Sequence, residues 1–211
     1  MKKAILFDLD GTLWDATAAV TAAYNRAISE LPCRTKPVTR DAVAATQGLQ
    51  TQDILPRLFF DDEPAMRQRI SDLSGNYRQA EMNNRTAFLF PRVKETLREL
   101  RARGYFIGLV SNTKSVAYLD AFLNLPGVRE LFDDCECACT GLPKAQNIRL
   151  LLARNGISAA VYVGDTEWDR QAAAEAGIPF LHAAYGFGNP AVPSPAVQSF
   201  DELPQAVAAL L

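Results

Sequence analysis

Two acids separated by a single leucine, Asp8-Leu9-Asp10, stand directly after the unbroken apolar run Ala4-Ile5-Leu6-Phe7 and directly before Gly11-Thr12. Asp-Gly is by itself an ordinary turn dipeptide, so the rest of the chain decides whether this pair does chemistry. Polar groups follow three other segments: Ser111-Asn112-Thr113, then Lys144 after Gly141-Leu142-Pro143, then Asp165 and Asp169 within Gly164-Asp165-Thr166-Glu167-Trp168-Asp169. Brought to one crevice, the four carboxylates of Asp8, Asp10, Asp165 and Asp169 repel one another and call for cations beyond the single lysine. A donor set made only of oxygen, with no imidazole or thiolate, favours Mg²⁺. Magnesium pairs best with carboxylates and phosphate oxygens, so the implied ligand is a phosphate with Lys144, Ser111 and the Asn112 region as complementary donors.

The elements that must position these groups alternate. Continuous apolar runs predict strands buried on both faces at residues 4 to 7, 105 to 110 and 160 to 163, with two further strands near 132 to 138 and 179 to 182. Helices are predicted between them: from Pro91 through Arg103, from Ser115 to Leu125, from Lys144 to Asn155, from the Asp165 segment to Gly177, and from Asp201 to Leu211. Residues 15 to 85 instead read as helical throughout. Asp15 is the expected N-cap of a helix to Glu30 carrying Val20, Tyr24, Ala27, Ile28 and Leu31 on one face, and Pro64 opens a longer helix carrying Met66, Ile70, Leu73 and Tyr77. A short helix from Thr39 to Thr46, stopped near Gly48, and another from Thr51 lie between them. The expected fold is therefore α/β: a Rossmann-like, doubly wound parallel sheet core (residues 1–14 and 86–211) with an all-helical cap (15–85) inserted after the first strand. In such sheets ligands bind outside the carboxyl ends of the strands, where these polar residues fall.

With 211 residues, 48% of them hydrophobic, the chain is long enough for one full core and a smaller second unit. A formal net charge of −2 without a basic run gives no footprint for a nucleic acid polymer or an anionic membrane, and no segment reaches the length of a membrane span. The expected setting is cytoplasmic and the expected partner a small molecule. Cys135, Cys137 and Cys139 alternate along a predicted strand, which places them on one face as small apolar side chains, with no disulfide expected in a reducing compartment. His182, the only histidine, reads as a strand residue.

The motifs resemble those of the haloacid dehalogenase-like superfamily of phosphatases, in order: Asp-Leu-Asp-Gly-Thr at 8 to 12, Ser-Asn at 111 to 112, Lys144, and Gly-Asp-Thr-x-x-Asp at 164 to 169. The branch implied is that of phosphoglycolate phosphatase-like enzymes and β-phosphoglucomutases, which carry a helical cap between the first two motifs. The resemblance implies that Asp8 is a nucleophile forming an aspartyl phosphate and that Asp10 is the acid/base. It also implies that Asp8, the Asp10 carbonyl and Asp165 hold Mg²⁺, that Ser111, Asn112 and Lys144 bind the phosphoryl group, and that Asp169 orders a metal-bound water or orients Lys144. In one departure, Pro143 precedes the lysine and Ala145 follows it, whereas family members usually have proline directly after.

Gln47-Gly48-Leu49-Gln50-Thr51 corresponds to the specificity loop of the family, and Trp14 is a second candidate for contact with substrate. Sugar phosphomutases similar to β-phosphoglucomutase carry an arginine where Thr51 falls, which tilts the expectation toward hydrolysis. The leading reading is a Mg²⁺-dependent phosphatase acting on a small phosphorylated metabolite. A sugar phosphomutase and a non-catalytic phosphate-binding protein on the same fold are the alternatives, and the oligomeric state stays open.

Overall fold

The structure is a computed structural model that describes residues 2–47, 49, 51–83 and 88–211. The chain divides into two compact units, Met1–Trp14 with Leu89–Leu211, and Asp15–Phe88. It runs from β1 (Lys3–Phe7) through β2 (Trp14–Asp15) into α1 (Thr17–Glu30), α2 (Arg40–Ala44), α3 (Thr51–Leu58) and α4 (Pro64–Asn83), and returns through β3 (Phe88–Leu89). Helices and strands then alternate: α5 (Val93–Ala102), β4 (Phe106–Ser111), α6 (Val116–Leu123), β5 (Asp134–Cys137), α7 (Lys144–Arg154), β6 (Ala159–Gly164), α8 (Glu167–Ala176), β7 (Phe180–Ala183), β8 (Ala196–Val197) and α9 (Leu203–Leu210).

The larger unit is built on a six-stranded sheet in the order β5-β4-β1-β6-β7-β8, every described pair parallel. β1 lies inside this sheet, and Ala4 to Phe7 are all fully buried, as a strand covered by helices on both faces must be. On one face Ala4, Leu6, Val110 and Tyr162 pack with Ile148 and Leu151 of α7 and Ala172 and Ala173 of α8. The opposite pleat carries Phe7, whose ring stacks on Phe200 at 5.7 Å, and α5 and α9 contact each other on that side. Register sets the depth of the site: Phe7 pairs with Leu109 on one side and Val163 on the other, so Asp8, Ser111 and Asp165 emerge at one edge within about a residue of each other.

The helical unit packs its own core of Tyr24, Ala27, Ile28, Val43, Leu55, Leu58, Phe59 and Ile70, with Val20, Leu31, Met66, Leu73 and Tyr77 against it. Its turns are tied by side chains that replace backbone partners. Asn25 pairs with both the N–H and the carbonyl of Val38, at 2.7 and 2.9 Å. Buried Asp62 accepts from the N–H groups of Arg34 and Thr35 and from the Thr35 hydroxyl. Among the described residues no helix is long and apolar enough to cross a membrane.

Several expectations change. The sheet has a sixth strand, β8, which proline-rich sequence around Ala196 disguises as loop. Asp15 is not the N-cap of α1: Ala16 holds that position, and the Asp15 carboxylate instead accepts from the N–H and hydroxyl of Thr17. The last helix starts with a 3-10 turn, Phe200–Glu202, before α9. Cys135, Cys137 and Cys139 do not share a strand face, because β5 ends at Cys137 and the chain turns through a 3-10 segment, Ala138–Thr140. That turn brings Cys139 back to Cys137, and the two form a disulfide with Cα atoms 5.2 Å apart, where none was expected. Cys33 and Cys135 remain as free thiols, and burial pushes the Cys135 thiol up to about 12.

Two outcomes test this fold. Replacing Ile148, fully buried on the inner face of the helix that carries Lys144, with alanine should destabilise the chain by about 2–5 kcal/mol in thermal or urea unfolding. Protein purified without reductant and then unfolded should titrate two thiols, Cys33 and Cys135, and four after reduction.

Candidate active site

Asp8 follows β1 with its N–H still in the ladder, donating to the Val163 carbonyl at 2.9 Å, so the nucleophile candidate is held at a backbone position as rigid as the sheet. The residue is 4% exposed. Lys144, in the first turn of α7, donates to Asp8 Oδ1 at 2.6 Å and to Asp169 Oδ1 at 2.7 Å. Pro143 at the N-cap position lets α7 begin at this lysine. Asp169 is placed by a capping box at the start of α8: its Oδ2 accepts from the Thr166 N–H at 3.0 Å and the Thr166 hydroxyl at 2.6 Å, while its own N–H donates back to that hydroxyl. Of the two tasks implied for Asp169, the contact observed is with the lysine.

Asp165, just past β6, is fully buried. Its Oδ2 accepts from the N–H groups of Phe187 and Gly188 at 2.8 and 3.2 Å. Its Oδ1 is buried with no hydrogen-bond partner among the described residues, an arrangement that costs free energy unless a cation completes it. Oxygens of Asp8, Asp165 and Asp169 all lie within 4.8 Å of one another. The crowding shows in their proton affinities. Burial, then the charge of Asp169, pushes the Asp8 carboxyl well above the usual range, Lys144 opposing and Asp165 adding to it. The same two causes push Asp165 up to about 7. Burial works against the ammonium of Lys144, but Asp169 and Asp8 outweigh it and raise its affinity for the proton. An all-oxygen donor set, an orphaned oxygen and an excess of negative charge fit a hard divalent cation such as Mg²⁺.

Two glycines make the crowding possible. Gly11 turns the chain at φ +85°, and a Cβ there would overlap the Asp165 carboxylate. At Gly186 a Cβ would overlap both Asp165 Cβ and the Gly11 carbonyl oxygen. The loop after β7 thus packs over the Asp165 carboxylate, held by the Tyr185 hydroxyl donating to the Thr12 carbonyl at 2.9 Å.

Ser111 ends β4, 2% exposed, and its hydroxyl accepts from the Thr113 N–H at 3.2 Å; Asn112 beside it is half-buried. Asp10 lies in a different environment from Asp8. It is half-exposed, and its Oδ1 accepts from Trp14 Nε1 at 3.0 Å and from the Tyr118 hydroxyl at 2.5 Å. Trp14, expected as a substrate contact, is buried edge-on against Tyr118 and Phe122 of α6. His182 stacks on Phe180 within β7, as a strand residue. Of the specificity-loop residues, Leu49 is half-buried and Thr51 begins α3, while Gly48 and Gln50 lie outside the described residues.

Tyr118, Gly186 and the Phe187 and Gly188 N–H groups escape sequence reading. Tyr118 is one apolar-looking position of a helix, without a signal of its own. The Gly-Phe-Gly spacing at 186 to 188 was the available clue to a backbone that approaches something closely.

With this geometry in hand, the comparison with known proteins is decisive: the profile of haloacid dehalogenase-like hydrolases matches residues 5–183. The chain belongs to the haloacid dehalogenase-like hydrolase family. It is 29% identical over 191 residues to a phosphoglycolate phosphatase of Synechococcus elongatus, covering 89% of this chain and 86% of that one. A plasmid-encoded phosphoglycolate phosphatase of Cupriavidus necator is 30% identical over 204 residues, covering 90% and 84%. The fold superimposes with a TM-score of 0.85, at 22% identity, on the crystal structure of a predicted phosphoglycolate phosphatase from Haemophilus somnus, with 98% of each chain covered.

The buried charges generate a direct test. Mg²⁺ should raise the melting temperature of the wild-type chain by several degrees, on the scale of about 2–4 °C per kcal/mol for a chain of this size. Asp165→Asn, which removes one of the crowded charges, should make the metal-free protein more stable by on the order of 1 kcal/mol and abolish the Mg²⁺ response. Calorimetry with and without metal checks both.

Proposed function

We propose that the chain is a Mg²⁺-dependent phosphomonoesterase that hydrolyses a small phosphorylated metabolite through an aspartyl phosphate on Asp8. The observation that carries this reading is the fixed Asp8 carboxylate, pinned by Lys144 at 2.6 Å beside the unpartnered Oδ1 of Asp165. The relatives named above make phosphoglycolate the first substrate to test.

In this reading Asp8 attacks phosphorus, forming a bond from its carboxylate oxygen while the bond to the leaving oxygen breaks. Asp10, protonated at the outset, gives its proton to that departing oxygen, so an alcohol leaves and Asp10 becomes a carboxylate. Asp10 then takes a proton from the water that attacks the aspartyl phosphate, which restores both acids and frees phosphate. Lys144, the Ser111 hydroxyl and Asn112 bind the phosphoryl oxygens, and the pairing of Lys144 with Asp169 keeps the ammonium aimed. Bound between Asp8, Asp165 and the Asp10 carbonyl, Mg²⁺ would supply the positive charge that a transferring phosphoryl group requires.

Phosphate release over a panel of phosphoglycolate, sugar phosphates and nucleotides, with and without Mg²⁺, tests the function. Asp8→Asn should reduce turnover to background on every substrate, and Asp10→Asn should lower it by roughly 10²–10⁴-fold, the size of general acid–base catalysis. Full activity in Asp8→Asn would overturn the mechanism. Isomerised sugar phosphate in place of free phosphate would identify a phosphomutase.

A further inference from the structure

We propose that Tyr118 and Trp14 are positioning residues for Asp10, anchoring one oxygen of its carboxylate so that the other carries the transferred proton; this rests on the phosphatase reading above. Asp10 lies beyond β1 in an isolated bridge to Trp14, and the bridge fixes its backbone while leaving its side chain several rotamers. Two donors converge on the same atom, Oδ1: the indole N–H of Trp14 at 3.0 Å and the phenol of Tyr118 at 2.5 Å. An oxygen accepting both has its lone pairs engaged, so the proton of the acid form belongs on Oδ2.

The two donors are themselves rigid. Trp14 is 1% exposed, and its backbone bridges the residues on either side of Asp10: its carbonyl accepts from the Gly11 N–H at 3.0 Å and its N–H donates to the Leu9 carbonyl at 3.3 Å. Its ring meets Tyr118 edge-on at 5.4 Å and Phe122 at 5.3 Å. Tyr118 lies in the first turn of α6, whose N-cap Ser115 accepts from the Tyr118 N–H at 3.2 Å. That helix follows directly on Ser111-Asn112-Thr113, so one element bears the residues proposed for the phosphoryl group at its entry and the anchor of the acid one turn in. The aromatic pair thus links the placement of the proton donor to the placement of the phosphate, which is what alignment of an in-line displacement demands.

A purely structural role for these aromatics and a positioning role differ in one readout, the dependence on leaving group. An alkoxide departs only if protonated, whereas nitrophenolate departs as a stable anion, and kcat/KM reports the steps through its departure. Tyr118→Phe keeps the ring and removes the hydroxyl. Its kcat/KM should fall about 10–100-fold for an alkyl phosphate such as phosphoglycolate, part of the general-acid contribution, and by no more than about 2-fold for p-nitrophenyl phosphate. Trp14→Phe should shift the ratio in the same direction. The ratio of the two substrates does not depend on how much of a variant is folded, so a destabilised variant still answers. In an Asp10→Asn background, Tyr118→Phe should have no further effect on that ratio, because the group it aims is gone.

Equal losses on both substrates, an unchanged ratio, or an undiminished effect in the Asp10→Asn background would each overturn the positioning role and leave the phosphatase reading standing. Wild-type protein that releases phosphate from neither substrate would overturn the phosphatase reading, and this inference with it.

Discussion

The constraint on which the larger unit depends is the burial of three carboxylates around one ammonium. Asp8 and Asp169 pair with Lys144 at the end of the sheet, with an Asp165 oxygen within 4.8 Å of theirs, and three carboxylates against one ammonium leave an excess of negative charge that burial magnifies. Such a cluster is costly in a resting protein, and the surrounding structure is arranged to hold it. The capping box of α8 gives Asp169 two donors, the loop after β7 gives Asp165 two more, and the first turn of α7 delivers the lysine. What remains unbalanced among the described residues, the Asp165 Oδ1 atom, is the place where a cation has most to gain. The excess negative charge is therefore what the proposed Mg²⁺ would offset.

Parallel strands solve the assembly problem. Because β1 is flanked by β4 and β6, residues more than a hundred positions apart in the chain emerge at one edge, each carried by a strand whose register is set by a fully buried core. The same geometry gives two acids separated by one residue opposite surroundings. Asp8 is still in the ladder, buried and ion-paired, which suits the proposed nucleophile. Asp10 has left the sheet, is half-buried, and is held by hydrogen bonds from an indole and a phenol, which suits the proposed acid/base.

The alternation of apolar runs with helical periodicity made most of the sheet legible, and the strands at Ala4, Phe106 and Ala160 were read within a residue or two of their ends. The errors fell where periodicity carries little information. Two residues, Ala196 and Val197, are too few to announce a strand; they form one because β7 offers them an edge. The alternating cysteines mimicked a strand because a period of two says nothing about where pairing stops. Pairing stops at Cys137, opposite Ser111, since β4 ends there.

By itself the sequence determined the family, the inventory of acids, hydroxyl, amide and lysine, and their order at the ends of strands, because buried strands need continuous apolar runs and a charged residue ending such a run is conspicuous. It also determined that the first 14 residues and the last 120 or so share a fold around a helical insert, since parallel strands must recur to complete a sheet. Only the tertiary structure decided which oxygens face the lysine, which one is left without a partner, that Gly186 must be glycine, and that Tyr118 reaches back over a hundred positions to Asp10. These are matters of distance between residues remote in the chain, and no local pattern encodes them, because a tyrosine in an apolar helix looks the same whether it ends against a methyl group or a carboxylate.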